Sequence, residues 1–158
     1  MLSKKICMVG RFGVGKTSLV DRYVKNHFSE KYHTTVGVSI STKIVSEHIK
    51  LIIWDIAGFE QENHYVPYLR GTHGIIYVAD STNPESVSTL ATIQETNPQL
   101  SELPSICFIN KKDLTDQRVW GSEQDSVIQT LTNNSIWTSA KTGEDVEKGF
   151  IILSQFLK

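Results

Sequence analysis

Five short apolar runs recur along the chain: ICMV at Ile6 to Val9, LIIW at Leu51 to Trp54, IIYVA at Ile75 to Ala79, ICFI at Ile106 to Ile109, and IW at Ile136 to Trp137. Each is too short for a core helix and lacks polar alternation, the pattern of a strand buried on both faces. Between these runs the apolar positions change to helical spacing. Thr17 to Asn26 carries Leu19, Val20, Tyr23 and Val24. NPESV offers Asn83 as an N-cap with Pro84 at the first helical position. TGEDVEKGFIILSQFL places a capping-box-like Thr142 and Asp145 ahead of Val146, Phe150, Leu153 and Leu157 on one face. The segment 37–50, GVSISTKIVSEHIK, alternates as an edge strand and turns near Ser46 and Glu47, which predicts an antiparallel hairpin with the next run. Strands alternating with helices predict an α/β fold: a mostly parallel six-stranded sheet with one antiparallel edge strand and helices on both faces.

At 158 residues the chain has the length of one domain with a single good core, so 1–158 is expected to be one unit. The 16 Lys+Arg against 17 Asp+Glu give a net charge of -1. This balance predicts no nucleic-acid partner and no attraction to a charged membrane surface. Cys7 and Cys107 lie inside apolar runs, where buried free thiols in a reducing compartment are expected. His27, His33, His48, His64 and His73 have no metal-ligand spacing and are expected at the surface or in loops. No apolar run reaches the ~18 residues of a membrane span and the N-terminus lacks a signal-peptide pattern, so the expectation is a soluble, cytoplasmic monomer.

The chemistry begins at GRFGVGKT, Gly10 to Thr17, which fits G-x-x-x-x-G-K-[ST] and lies directly after a predicted strand and at the start of a predicted helix. Glycines let successive N–H groups from Gly13 to Ser18 curl around phosphate oxygens, and the helix N-terminus adds partial positive charge. Lys16 would reach the β- and γ-phosphates, and the Thr17 hydroxyl would ligate Mg²⁺. A second motif, NKKD at Asn110 to Asp113, follows the ICFI run at the carboxyl end where open α/β sheets bind ligands. The Asp113 carboxylate can pair with the N1–H and N2–H₂ donors of guanine, whereas adenine presents an acceptor at N1. An unpaired buried charge costs on the order of a few kcal/mol, so guanine is favoured. Asn110 would bridge base and phosphate loop, and the Lys111 stem would cover a purine face. TSAK, Thr138 to Lys141, follows the last strand, where Ser139 and the Ala140 N–H could hold the loop and contact the base.

The set GRFGVGKT, WDIAG, NKKD and TSAK, in this order over essentially the whole chain, resembles the small GTPases of the Ras superfamily, whose fold is the P-loop NTPase G domain. HFSEKYHTTVGVSI and YLRGTHGIIYVAD are most similar to the Rab branch. The resemblance implies GTP and GDP with Mg²⁺ as cofactors. Phe28 would pack on the guanine, and Lys141 would join the base loop. Thr35 would ligate Mg²⁺ and the γ-phosphate, Asp55 would hold Mg²⁺ through a water, and the Gly58 N–H would bind the γ-phosphate. Lys16, Thr35 and Gly58 would then be the catalytic positions. It also implies effectors, an exchange factor and a GTPase-activating protein, read through loops near 28–37 and 58–70 that the γ-phosphate tethers. Trp54 with Ile40 and Leu69 either contributes to that readout surface or packs at the strand edge. Most Rab-like proteins carry prenylated cysteines in a tail beyond the last helix, and ILSQFLK contains none, so no membrane anchor is expected in this chain.

Two residues depart from the family pattern. Phe59 stands where a glutamine usually orients the attacking water, and Phe12 stands where a small residue usually leaves room for an activator's arginine. A phenyl ring has neither donor nor acceptor, which predicts slow intrinsic hydrolysis unless Gln61, Glu62 or His64 takes over the water. Three functions compete: a slow guanine-nucleotide switch, a catalytically silent GTP-loaded scaffold, and an ATP-dependent kinase or ATPase disfavoured by Asp113. Trp120 and Trp137 are expected to pack rather than stack on a base.

Overall fold

The computed structural model of the chain describes residues 1–31, 35, 37–58 and 66–157. Strand β1 (Leu2–Val9) runs into helix α1 (Lys16–Lys25), and β2 (Val38–Ile44) and β3 (Ile49–Ile56) form the hairpin. After the short α2 (Val66–Leu69) come β4 (Gly74–Asp80), α3 (Glu85–Thr96), β5 (Ser105–Asn110), α4 (Ser122–Leu131), β6 (Ser135–Trp137) and α5 (Val146–Ser154). The six strands are ordered β2-β3-β1-β4-β5-β6. All neighbouring pairs are parallel except β2 with β3, so the antiparallel member is an edge strand, as expected.

Strand alternation divides the core into two layers. Ile6 and Met8 of β1 face Leu19, Val20 and Tyr23 of α1 and Phe150 and Leu153 of α5. Cys7 and Val9 face the other way, toward Leu90 and Ile93 of α3 and Ile128 and Leu131 of α4. Both cysteines are buried and free, and β4 is buried at every position, which explains its unbroken apolar run. Among the described residues, no helix is long and apolar enough to cross a membrane.

Two local expectations need correction, and one helix was not anticipated. β1 begins at Leu2 rather than Ile6 because ladder pairing with Ile49 to Ile52 carries its polar, exposed start. Thr142 and Asp145 do not form a capping box. Asp145 sits in the left-handed region at φ 56, away from the extended geometry an N-cap side chain needs, and Thr142 Oγ1 accepts the Glu144 N–H at 3.2 Å instead. Asn83 does cap α3, its Oδ1 accepting the Glu85 N–H at 3.1 Å. Helix α4, missed in the sequence pattern, has an N-terminus on which Gln124 Oε1 accepts the Gly121 N–H at 2.8 Å.

Phe150 links α5 to α1 and the sheet: its ring stacks on Tyr23 at 4.0 Å and meets Phe108 edge-on at 5.3 Å. Truncation leaves a cavity that two rings cannot both fill. Phe150→Ala is expected to lose about 3–5 kcal/mol of folding stability in urea titration; a loss below about 1 kcal/mol would show that the layer collapses around the gap.

Candidate functional site

The turn between β1 and α1 is shaped by glycine. Gly15 has φ 101 and serves as the N-cap of α1, and a Cβ there would collide with the Asn110 side-chain amide. No acidic residue occupies the first turn of α1, so its unpaired N–H groups keep their positive end for an anion. Lys16 is buried, and its Nζ donates to the carbonyls of Gly10 (3.1 Å) and Arg11 (3.4 Å). Burial pushes its pKa down from 10.5 to about 8, partly opposed by Asp55 nearby.

Beside the lysine lies a corner of oxygen donors. Thr17 Oγ1 donates to Asp55 Oδ2 at 2.6 Å and lies 2.7 Å from Thr35 Oγ1. Asp55 Oδ1 is buried without a hydrogen-bond partner among the described residues. Desolvation raises the Asp55 carboxyl pKa, against the lowering effect of Thr17 and Lys16. An orphaned carboxylate oxygen is costly in a low dielectric. Two hydroxyls and a carboxylate form the hard, all-oxygen donor set that suits Mg²⁺ with retained waters, so the residues present fit that ion. Gly58 follows at the end of β3 and presses on the phosphate loop: a Cβ there would stand 2.5 Å from Phe12 Cα. Phe12 is 46% exposed.

At the far end, β5 and β6 deliver NKKD and TSAK side by side. The buried Asn110 amide donates from Nδ2 to Val14 O at 3.0 Å, and its Oδ1 accepts from Thr138 Oγ1 (3.2 Å) and the Ala140 N–H (3.3 Å). Ser139 Oγ donates to Asp113 Oδ1 at 2.7 Å, leaving the other carboxylate oxygen for a ligand. Lys111 Nζ donates to Gly13 O at 2.9 Å and pairs with Asp80 at 2.8 Å. Its stem is therefore anchored along the wall.

A cleft of about 350 Å³ joins the two ends. Gly13, Gly15, Lys16, Thr17, Ser18, Phe28, Thr35, Gly58, Asn110, Lys111, Asp113, Ala140 and Lys141 all line it, with Phe12. Val14 and Ser139 stand behind the lining, contributing a carbonyl to Asn110 and a hydroxyl to Asp113. Phe59, Gln61, Glu62 and His64 lie outside the described residues, as does His33. Trp120 and Trp137 pack edge-on against each other at 5.4 Å and do not line the cleft. Ile40 is exposed and stands opposite Trp54 in the ladder, but Leu69 is buried in the core and belongs to packing.

Sequence patterns missed two supporting residues. Arg22 on α1 donates to the Ala140 carbonyl at 2.8 Å and the Lys141 carbonyl at 2.5 Å, holding TSAK from below. Asp80 ends β4 directly opposite Asn110, so strand register alone could have flagged it as the partner of Lys111.

A glycine turn after the first strand, opening a helix beside an acid-and-hydroxyl corner, defines a P-loop nucleotide-binding domain. The chain belongs to the Ras family, whose model matches residues 5–158. It is similar to the Ras-related protein Rab-1 of Theileria annulata, at 38% identity over 98% of this chain and 74% of that protein. Against the Ras-related protein Rab-7b of Mus musculus, identity is 36% over 95% of this chain and 80% of the other. Within the superfamily the chain is thus most similar to the Rab branch.

Lys16 is poised to gain a proton when phosphate oxygens approach. A nucleoside diphosphate is therefore expected to bind with proton uptake at about pH 8.5, and its affinity is expected to fall as pH rises through about 8. Near pH 7 the lysine is already mostly charged and this dependence fades. Calorimetry in two buffers of different ionisation enthalpy counts the protons; zero uptake above pH 8 would mean that Lys16 keeps its charge in the free protein.

Proposed function

We propose that this protein is a guanine-nucleotide switch that binds GDP and GTP with Mg²⁺ and hydrolyses GTP slowly. The observation that carries the proposal is the Asn110 amide, which ties the phosphate loop and the base loop to one side chain in the wall of a single cleft. That distance-setting contact suits a ligand with a polyphosphate at one end and a purine at the other. Family membership supports guanine, as does Asp113, held by Ser139 with a free carboxylate oxygen.

In this scheme the N–H groups of Gly13 to Ser18 hold the β-phosphate, Lys16 spans the β- and γ-phosphates, and Phe28 and the Lys111 stem cover the base. Thr17, Thr35 and, through a water, Asp55 hold the cation, which supplies charge neutralisation for the phosphate oxygens. Thr35 and Gly58 belong to separate loops that a γ-phosphate draws in, and its loss releases them. A partner thereby reads nucleotide state as surface shape. Effectors, an exchange factor and a GTPase-activating protein are the partner classes, met by a monomer in the cytoplasm.

Slow chemistry follows from two side chains. Hydrolysis depends on holding water in line and on stabilising charge spread over the γ-phosphate, and Phe59 does neither. Phe12 lines the cleft next to Gly58, where an inserted arginine would have to pass. Such a residue contributes roughly 10³ to 10⁵ in rate, so obstructing it has the larger effect. The same obstruction favours a second reading: a scaffold that stays GTP-loaded and never turns over.

Single-turnover hydrolysis separates these outcomes. Phe59→Gln is expected to raise the rate at least about tenfold over wild type; equal rates would remove this position as the limit on chemistry. GTP found in the purified protein, with no turnover over hours, would favour the scaffold. In competition against labelled GDP, ATP is expected to need at least about a hundredfold higher concentration than GTP; equal potency would overturn the guanine assignment.

A further inference from the structure

Asp113 and Ser139 can read a base only if the two loops carrying them keep a fixed separation. Their backbones touch once, where the Lys112 N–H donates to the Thr138 carbonyl at 3.0 Å. Beside the Asn110 and Ser139–Asp113 side-chain contacts, a further connection lies outside the cleft. Arg118, just after the turn Thr115–Gln117, donates from Nη2 to the Lys112 carbonyl at 2.9 Å. Its guanidinium carbon also stands 4.7 Å from the centre of the Trp137 ring. Trp137 is the residue immediately before Thr138, and Trp120 buttresses it edge-on at 5.4 Å. Trp120 is itself held by a hydrogen bond from Nε1 to Asp125 on α4 at 2.8 Å. One planar cation therefore grips the residue before Asp113 and the residue before Thr138.

We propose that Arg118 and Trp137 form a clamp that sets the spacing of the guanine-reading loops. They are positioning residues for affinity and for guanine selectivity, and neither touches the ligand. This rests on the guanine-nucleotide reading above. The planar guanidinium matters because it donates a hydrogen bond in its plane while laying its whole face along an indole; an ammonium can make both contacts, but only as a compact point charge without that stacking. A different tie, the exposed ion pair Lys112–Glu144 at 2.8 Å, spans the same two loops but is screened by salt. The clamp has a neutral partner and is not.

The test measures release of fluorescent GDP and of its inosine counterpart, which lacks the 2-amino group that Asp113 reads. Wild type, Arg118→Met, Arg118→Lys, Trp137→Phe and Glu144→Gln are compared at low salt and at about 0.5 M salt. Arg118→Met is expected to release GDP roughly tenfold faster at both salt concentrations and to narrow the preference for GDP over the inosine nucleotide. Arg118→Lys should fall between it and wild type, Trp137→Phe should stay within about twofold of wild type because a ring remains, and Glu144→Gln should matter only at low salt. Unchanged release in Arg118→Met, or equal acceleration for both nucleotides, overturns the clamp and leaves the guanine reading intact. Wild-type protein that retains no GDP with Mg²⁺ present overturns that reading and the clamp with it.

Discussion

Asn110 is the contact on which the site depends. Its side chain is buried at the end of β5 and uses its donor on the phosphate loop and its acceptor on two groups of the TSAK loop. An amide carries its donor and its acceptor on separate atoms of one planar group, so it can serve the two loops at once. A carboxylate of the same shape would face the Val14 carbonyl with a like partial charge, and an apolar residue would leave three buried polar groups unsatisfied. Gly15 follows from the same constraint, because the amide occupies the space where a Cβ would stand. Lys111 on the Gly13 carbonyl and Ser139 on Asp113 add further ties, and together with Asn110 they draw separate turns into one cleft.

The opposite end of the cleft is governed by charge. Lys16 and Asp55 are both buried, and desolvation pushes each toward its neutral form. Hydrogen bonds and mutual attraction only partly compensate. Such a corner is incompletely compensated, and an anion beside Lys16 together with a cation beside Asp55 would satisfy both groups. Buried charge that lacks full partners in the free protein is a store of binding energy, and it couples folding of the site to occupancy.

The sheet and phosphate loop were legible because their signals are local. Unbroken apolar runs mark strands covered on both faces, and the glycine spacing of Gly10 to Thr17 can be read without knowing the rest of the chain. NKKD and TSAK were legible through position, each following a strand. Arg22 and Asp80 were not, because an arginine in a helix and an acid after a strand are ordinary until the fold brings them to a carbonyl or an ammonium. The capping box at Thr142 and Asp145 failed for a related reason: the TSAK loop, tied to Arg22, brings the chain into α5 through a left-handed residue.

The sequence by itself determined the alternation of strands with helices apart from α2 and α4, the phosphate-binding turn, the acid that ends NKKD, and the two phenylalanines that depart from the family pattern. All of these depend on residue type at fixed short spacing. Tertiary structure decided which groups meet across long separations: Asn110 with Val14, Lys111 with Asp80, Thr17 with Asp55, and Arg118 with Trp137. Those contacts follow from strand register and helix packing, where each partner's chemistry is set by neighbours distant along the chain.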